Sequence, residues 1–463
     1  MEPQNPPQSE LRDLLGLTTE LAIDFYEGLE SRPVFPEATV DELRASLGGP
    51  LPQAPAPPRS VISELAAAAA PGLVAEPGGR YFGFVIGGSV PAALAADWLT
   101  SAWDQNAGLY VIGPAAAVAE EVAGAWLCEL FGLPTDASYA FVTGGQMANL
   151  TALAAARHHV LAKADWDVEE RGLQGAPRIR VVVGEKRHGT VDRALRMLGL
   201  GAPTDIVPAD DQGRLRAAEL RIGDEPTIVC AQAGEVNTGA FDPLAEITAI
   251  SAAAPNSWVH VDGAFGLWAA VPASLQHLLA GSENADSWST DAHKWLNVPY
   301  DAGVAFTRHA ESHRAAFATR AAYLMYSDGE RDAFDWNPES SRRARAFPIY
   351  AAIRSLGRSG IEAMIERCCE HARHFADGLT ELGAEVLNDV VLNQVLFRFG
   401  GDAETDAILE AVQASGEAWM GGTSWAGRRA IRISVSNWQT TSEDVERTLA
   451  AYRAAIGGHG PAR

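Results

Sequence analysis

Helical patterns alternate with short apolar, β-branched segments between residues 115 and 310, and this alternation constrains the fold of the chain most. The strand-like segments are residues 179–183, 227–231, 258–261 and 303–306, and the helical patterns include residues 115–131 and 148–164. Such alternation is typical of an α/β fold, in which a mostly parallel sheet carries helices on both faces. Ligands bind such sheets beyond the carboxyl ends of the strands, so the polar residues that follow each strand are the candidates for chemistry.

A proline-rich segment at residues 48–58 separates an N-terminal arm from the rest of the chain. We predict three parts, namely a helical dimerisation arm (residues 1–85), a large α/β domain (86–345) and a smaller α+β domain (346–463). The arm contains an amphipathic helical stretch, residues 9–31, whose apolar side chains it cannot bury alone. A second copy of the chain is the natural surface for them, so we expect a homodimer.

The charge and the cysteine content exclude several classes of protein. The formal net charge is −23 and no basic run interrupts it, which argues against binding to nucleic acid or to an anionic membrane. The four cysteines have no framework spacing, the N-terminus lacks a signal-peptide pattern, and no apolar stretch is long enough to span a bilayer. We therefore expect a cytoplasmic protein.

An aspartate and a lysine lie where two neighbouring strands are predicted to end. Asp262 follows the segment 258–261, and Lys294 follows a strand-like segment at residues 285–289. A buried carboxylate needs a cationic partner, and the protonated ring nitrogen of pyridoxal 5'-phosphate (PLP) is one. A lysine between a histidine and a tryptophan has the surroundings that a Schiff-base lysine needs. The plainer alternatives are a carboxylate that caps the next turn and a lysine on a surface turn.

A glycine pair and a histidine supply two further candidates. Gly144 and Gly145 precede a helix, and the N–H groups at a helix N-terminus bind anions such as phosphate. His188 follows the strand 179–183, where an imidazole can stack on a cofactor ring. The alternatives are an ordinary turn and a structural histidine. Together the four features describe a phosphate cradle, a ring stacker, a carboxylate for the ring nitrogen and a Schiff-base lysine for one cofactor.

Two competing constellations are not supported. Cys368, Cys369, His371 and His374 lie in one helical stretch, where adjacent cysteines diverge by about 100°, and we predict no metal site there. The sequence contains no G-x-S-x-G motif, so a serine hydrolase has no nucleophile signature.

At this point the residues resemble the group II pyridoxal-dependent amino acid decarboxylases, the family of aromatic amino acid and histidine decarboxylases. The resemblance covers nearly the whole chain. Residues 26–36 are similar to the N-terminal arm of the family, and residues 262–264 and 291–295 are similar to its two cofactor motifs. The resemblance implies a PLP-dependent transferase fold of type I and a homodimer with active sites at the subunit interface.

The family's functional residues have matches in this chain. By this likeness Lys294 carries PLP as a Schiff base, Asp262 pairs with the ring nitrogen, and Ala264 packs under the ring. His188 matches the histidine that stacks on the cofactor and contacts the substrate carboxylate. The remaining matches are to cofactor- or substrate-binding positions: Gly145, Gln146, His293, Asn237 and Arg432.

The resemblance fails at the loop that carries the family's proton-donating tyrosine. Counting back from Trp336, the matching position is Ala333. The nearest tyrosines are Tyr323 and Tyr326, which are therefore the candidate proton donors. In related enzymes the loss of this tyrosine accompanies oxidative deamination to an aldehyde.

The resemblance implies that the chain converts an L-amino acid into the amine and CO2. Tyr81, Phe82 and Trp103 are candidates for an apolar pocket wall, so an aromatic substrate is favoured. An aldehyde synthase and a PLP-dependent carbon–carbon lyase are alternatives on the same scaffold. A catalytically silent binding protein is the alternative from a different class.

Overall fold

The computed structural model describes residues 8–36, 38–319, 325 and 329–458. The helices are α1 (Gln8–Glu27), α2 (Val40–Leu47), α3 (Pro58–Ala69), α4 (Pro91–Trp103), α5 (Pro114–Phe131), α6 (Gly145–Ala162), α7 (Val168–Arg171), α8 (Gly189–Met197), α9 (Leu244–Ala252), α10 (Ala310–Phe317), α11 (Ala346–Glu381), α12 (Asp402–Ala414) and α13 (Ser442–Gly458). The strands are β1 (Ser138–Val142), β2 (Arg180–Gly184), β3 (Asp205–Val207), β4 (Thr227–Gln232), β5 (Ser257–Asp262), β6 (Ser287–Asp291), β7 (Gly303–Thr307), β8 (Glu385–Val386), β9 (Gln394–Arg398), β10 (Gly421–Trp425) and β11 (Arg428–Ser434).

The large sheet has the strand order β1-β7-β6-β5-β4-β2-β3. Strands β2 to β6 pair in parallel, whereas β7 runs antiparallel to both β1 and β6. Successive residues of β2 point to opposite faces, because Val181 and Val183 pack into one apolar core and Val182 into another. Helices α6 and α8 cover the first face, and α5 and α9 cover the second. The predicted α/β fold is confirmed.

The sequence pattern misses two strands of this sheet and shifts a third. Both β1 and β3 lie at edges of the sheet, and β3 has only three residues, so neither carries much periodicity. The strand predicted at residues 285–289 is β6, which ends at Asp291. This shift places a second carboxylate at the carboxyl end of a central strand.

A separate antiparallel sheet forms the C-terminal part of the chain, in the order β10-β11-β9-β8. Helices α11 and α12 pack against it, and α13 packs against both of these helices. Helix α11 begins at Ala346 and is interrupted at Gly357, where φ is 61°. Glycine adopts this left-handed conformation without the steric cost that a side chain adds. The fold agrees with a smaller α+β unit, and its boundary at residue 346 stays a prediction.

Helices α1, α2 and α3 form the N-terminal arm. Of the residues described in α2 and α3, none is buried within the single chain. Large apolar side chains are exposed along the arm: Leu11, Leu15, Ile23, Val40, Leu47, Leu51, Val61 and Leu65. The apolar surface that the sequence predicts for the arm is therefore present.

The described residues offer neither a membrane-spanning helix nor a metal-binding group. None of their helices is long and apolar enough to cross a membrane. The same residues contain no group of three or more side chains suited to hold a metal ion, and Cys368 and Cys369 are buried free thiols.

The carboxyl ends of the parallel strands meet the start of α6. Strand β5 ends at Asp262, β6 ends at Asp291, and β2 leads into the turn that precedes α8. The polar residues predicted to carry chemistry follow these strand ends, so the fold brings them to one edge of the sheet.

Candidate active site

The Gly144-Gly145 turn brings the start of α6 close to the end of β6. The backbone N–H of Gly145 donates to Asp291 Oδ1. A Cβ at Gly145 would lie 2.8 Å from Asp291 Oδ2, and one at Gly144 would lie 3.0 Å from His293 Cε1. Any larger residue would therefore push the helix N-terminus away from the strand end.

The side chain of Gln146 lies in the first turn of α6, beside these glycines. Its amide nitrogen and oxygen are both buried and have no hydrogen-bond partner among the described residues. A buried amide without a hydrogen-bond partner costs free energy, so a donor without an acceptor at this position indicates a ligand. A helix N-terminus with free donors suits an anion such as phosphate.

Asp291 holds the lysine and the histidine of the second motif. Lys294 Nζ lies 3.0 Å from Asp291 Oδ2, and His293 Nε2 lies 3.5 Å from Oδ1. Burial lowers the pKa of His293, and the charge of Asp291 opposes this effect. The side chain of Asp291 is buried, whereas that of Lys294 is 22% exposed and can be reached by a ligand.

Asp262 is a buried carboxylate that has no cationic partner among the described residues. It is 4% exposed, and its oxygens accept from Asn149 Nδ2 at 3.0 Å and from the backbone N–H of Ala264 at 3.2 Å. No lysine, arginine or histidine of the described segments forms an ion pair with it. A buried ionised carboxylate is costly unless it is paired. A ligand with a positive charge would supply the missing partner.

His188 forms the N-cap of α8 at the same edge of the sheet. Its Nδ1 accepts from the backbone N–H of Thr190 at 3.3 Å and lies 2.8 Å from Thr190 Oγ1. Its own backbone N–H donates to Gln232 Oε1 at 3.0 Å. The side chain is exposed, so one face of the ring is open to a ligand.

Three of the other predicted residues lie where the loop after β4 meets the C-terminal sheet. Arg432 donates to the carbonyl of Val236 at 2.6 Å, and burial lowers the pKa of its guanidinium. Asn237 accepts from Thr423 Oγ1 at 3.1 Å and thereby ties this loop to β10. The ring of Tyr81 stacks on Trp419, at a centroid distance of 5.1 Å. Their binding roles stay predictions.

Of the remaining predicted residues, the structure describes Phe82 and Trp103. Phe82 is fully buried and packs edge-to-face on Phe375, at 5.0 Å between centroids. Trp103 ends α4 and is 49% exposed. Tyr323 and Tyr326 lie outside the described residues. Ala333, which matches the tyrosine position of the family, is buried in a short 3-10 turn.

Sequence reasoning missed four residues that lie in the site. Asp291 lies three residues before Lys294 in the motif at residues 291–295, and its place near a strand end is the signal that indicates a role. Asn149 and Thr190 come from α6 and α8, and their contact at 3.1 Å follows only from the packing of the two helices. Tyr300 was also missed; its ring lies 4.5 Å from that of His293.

The residues fit PLP on three independent observations. The Gln146 amide, which has no hydrogen-bond partner in the described part of the chain, fits the phosphate. The buried Asp262, which has no cationic partner there, fits the pyridinium nitrogen, and the accessible Lys294 fits the aldehyde. Ala264 connects the two halves of the site, because its N–H donates to Asp262 and its carbonyl accepts from the Asp291 N–H at 2.8 Å.

Comparison with known proteins agrees with this chemistry. The family described as "Pyridoxal-dependent decarboxylase conserved domain" matches residues 41–400. The chain is 28% identical to the aromatic-L-amino-acid decarboxylase of Bacillus atrophaeus, over 96% of this chain and 95% of that protein. It is 32% identical to the L-2,4-diaminobutyrate decarboxylase of Rhizobium meliloti (strain 1021), over 78% and 74%.

The fold is similar to that in the crystal structure of Oryza sativa TDC with PLP and tryptamine. The TM-score is 0.91 at 24% sequence identity, and the match covers 98% of each chain. This likeness agrees with the type I fold expected from the sequence motifs. The family match spans most of the chain, and the residues of the site fit the cofactor that the family uses. The chain belongs to the pyridoxal-dependent decarboxylase family and is a PLP-dependent carboxy-lyase acting on an amino acid.

Proposed function

We propose that the chain decarboxylates an aromatic L-amino acid to the amine and CO2, with PLP attached to Lys294 as a Schiff base. The observation that carries the proposal is the buried carboxylate of Asp262, which lacks a cation within the described segments and lies on the same sheet edge as Lys294. When bound there, PLP supplies an electron sink for the electron pair that remains when CO2 leaves.

Each residue of this edge has a distinct task in the proposal. Lys294 would bind the cofactor covalently, while Asp291 holds the lysine nitrogen at the strand end. Asp262 would keep the ring nitrogen protonated, Ala264 would pack against one face of the ring, and His188 would stack on the other and bind the substrate carboxylate. Positioning and charge placement would then supply most of the rate.

The phosphate would bind at the start of α6. Gln146 offers side-chain N–H donors there, whereas the N–H of the matched Gly145 already donates to Asp291, and His293 lies beside them. The helix dipole adds to the attraction, because the N-terminus of a helix carries a partial positive charge. Asn237 would contribute from the loop after β4, which Thr423 holds in place.

An aromatic cluster supports an aromatic substrate. Trp419 stacks with Tyr81 at 5.1 Å and with Phe84 at 5.9 Å between ring centroids, and Phe84 is 61% exposed. Flat apolar surfaces of this kind bind aromatic rings favourably. Arg432 lies near Tyr81, where its charge opposes the rise in the pKa of that phenol. Phe82 and Trp103 stay candidates for the pocket wall.

Product analysis tests the proposal. The purified protein with PLP is incubated with each of the twenty amino acids, and amine, aldehyde, CO2 and peroxide are measured. We expect CO2 and amine in equal amounts from an aromatic amino acid. Borohydride reduction followed by peptide mapping should label Lys294, and a Lys294→Ala variant should carry no label. Turnover of non-aromatic substrates alone would contradict the substrate class, and a label elsewhere would contradict the role of Lys294.

An aldehyde synthase is the second candidate function, because the position that matches the family's proton-donating tyrosine is an alanine. Ala333 has no proton to donate, and its side chain is buried. If no donor protonates the carbon after CO2 leaves, oxygen can divert the reaction to an aldehyde. Aldehyde and peroxide from the parent protein would establish this second function and exclude the first.

Tyr323 and Tyr326 are the proposed proton donors of the first function. A phenol can protonate the carbon if its loop carries it there and closes the site against water. We expect Phe at the operative position to cut amine formation by ~10²-fold or more, or to redirect the product to aldehyde. Tyr350→Phe, at a partly exposed tyrosine stacked on Trp126, is the matched control and should be unaffected. Parental rates in both loop variants would exclude both phenols.

A further inference from the structure

We propose that Thr190 is a positioning residue that fixes the tautomer of His188, through a hydrogen-bond chain of defined direction that also holds Asp262. The hydrogen-bond chain runs from Trp258 to His188, through the side chains of Ser287, His260, Asn149 and Thr190. The proposal rests on the proposed function, since His188 and Asp262 belong to the same site. It goes further, because it assigns the proton on the His188 ring and names the residue that sets it.

The direction of the hydrogen-bond chain is fixed at Trp258, because an indole N–H can only donate. Its Nε1 donates to Ser287 Oγ at 2.9 Å, and Ser287 Oγ also lies 2.9 Å from His260 Nδ1. His260 is fully buried, and burial lowers its pKa to about 4, against the opposing charge of Asp262. The ring is therefore neutral at neutral pH and carries one proton.

The position of that proton follows from Asn149. His260 Nε2 lies 2.9 Å from Asn149 Oδ1, and a carbonyl oxygen can only accept. The proton is therefore on Nε2, and Nδ1 accepts from the Ser287 hydroxyl. The amide cannot be reversed, because Asn149 Nδ2 lies 3.0 Å from Asp262 Oδ2 and a reversed amide would put two acceptors together.

The same amide nitrogen determines the direction at Thr190. Asn149 Nδ2 donates to Thr190 Oγ1 at 3.1 Å, so the threonine hydroxyl is free to donate onward. It lies 2.8 Å from His188 Nδ1, and the backbone N–H of Thr190 also points to Nδ1 at 3.3 Å. Two donors therefore face Nδ1, which must be the unprotonated nitrogen of a neutral imidazole.

The consequence concerns what His188 can offer to a ligand. With Nδ1 occupied as an acceptor, the proton of the neutral ring is on Nε2, which has no hydrogen-bond partner among the described residues. This N–H is a donor suited to a carboxylate, and the neutral ring is suited to stacking. Asn149 serves both ends of the site, because it donates to Asp262 and to Thr190 from one nitrogen.

The alternative is that His188 and the Thr190 backbone form only an ordinary helix cap, and the experiment must distinguish this cap from a role of the Thr190 hydroxyl. The backbone N–H of Thr190 alone satisfies the capping bond to Nδ1, so in that case the hydroxyl is dispensable. Thr190→Val removes the hydroxyl and keeps the shape of the side chain. Thr190→Ser keeps the hydroxyl and loses a methyl group. The two variants form a matched pair, because one keeps the shape of the side chain without the hydroxyl and the other keeps the hydroxyl without the full shape.

The experiment measures the tautomer directly by long-range ¹H–¹⁵N correlation on protein labelled with ¹⁵N-histidine, at neutral pH and without substrate. His188→Gln assigns the signal. We expect the Nε2–H form in the parent and in Thr190→Ser, and a mixture with the Nδ1–H form in Thr190→Val. With an aromatic amino acid and PLP, Thr190→Val should lower kcat/KM by about 10-fold and Thr190→Ser should restore it to within about twofold.

A pure Nε2–H signal in Thr190→Val would overturn the proposal, and so would failure of Thr190→Ser to retain it. Thermal unfolding at the parental temperature shows that a variant is folded. The tautomer is measured without any turnover, so it is independent of the reaction. A parent that shows the expected tautomers but releases neither amine nor aldehyde would refute the proposed function and leave this inference standing.

Discussion

Asp262 is the residue whose environment makes the sharpest prediction. Its carboxylate is 4% exposed and accepts from Asn149 and Ala264 without a cation among the described residues. We expect Asp262→Asn to bind PLP but to lose about 10²-fold or more in kcat, because an amide cannot hold the ring nitrogen protonated. Absorbance of the bound cofactor and steady-state rates measure the two effects separately.

A carboxylate at the opposite edge of the sheet provides the control. Asp286 precedes β6 and accepts from the backbone N–H of Val259 at 2.8 Å. Asp286→Asn removes a charge next to the start of the neighbouring strand β6, at the opposite end of the sheet from Asp262, so kcat should change little. Near-parental turnover in Asp262→Asn would mean that this carboxylate only caps its strand.

The sequence predicts the charged residues of the site better than the neutral ones. Asp262 and Lys294 follow apolar strands, so their position and charge together indicate a cofactor. Asn149 and Thr190 are ordinary polar residues at the starts of two helices, and no spacing joins them. Their roles depend on hydrogen bonds between separate segments, which arise only when α6 and α8 pack on the same face of the sheet.

Helices α1, α2 and α3 are the elements through which we predict that two copies of the chain associate. Their exposed apolar side chains cannot be buried within one chain, and a second copy offers the same surface by twofold symmetry. We expect a homodimer with a mass of twice 49.1 kDa at micromolar concentration, measured by sedimentation velocity.

Charge placed on the arm should weaken this dimer. Leu15 is 55% exposed in the single chain, so Leu15→Glu adds a charge that the interface must desolvate, and we expect a large increase in the dissociation constant. Ile206 is similarly exposed, at 54%, but lies on the edge strand β3, and Ile206→Glu is the matched control. A parent that sediments as a monomer with full cofactor occupancy would contradict the predicted assembly.

Central elements of the fold are predictable because they are buried on both faces. The predicted segments 227–231 and 258–261 agree closely with β4 and β5, since continuous apolar runs indicate buried parallel strands. Edge strands such as β3 lack this pattern. The connection between β5 and β6 consists of short 3-10 turns rather than an α-helix, which no periodicity indicates.

At the scale of the whole molecule, buried histidines make the free energy of unfolding depend on pH. Burial lowers the pKa of His159 to about 4, of His260 to about 4 and of His313 to about 3, and it also lowers those of His293 and His371. An unfolded histidine titrates near 6.5. Below that pH the unfolded state binds more protons than the folded state, so stability is lost as the pH falls toward the folded values.

Three carboxylates act in the opposite direction, because burial raises the pKa of Glu76, Glu120 and Asp242. Burial raises the pKa of Asp242 to about 6, although its bonds from the backbone N–H groups of Leu215 and Gln232 oppose the rise. Between its unfolded value and pH 6 the folded state holds the extra proton, so this group stabilises the fold as the pH falls. It offsets the effect of about one histidine.

The balance predicts a molecule that loses stability in mild acid. Near pH 5 the five histidines outnumber the three carboxylates, and the free energy of unfolding should fall by about 1.4 kcal/mol per unit of pH for each proton by which the unfolded state exceeds the folded state. Guanidinium unfolding at fixed protein concentration between pH 7 and pH 5 measures this slope. His159→Gln removes one titrating group beside Ser312, and its slope should be smaller by about 1.4 kcal/mol per unit. An unchanged slope in this variant would show that His159 is not held neutral in the fold.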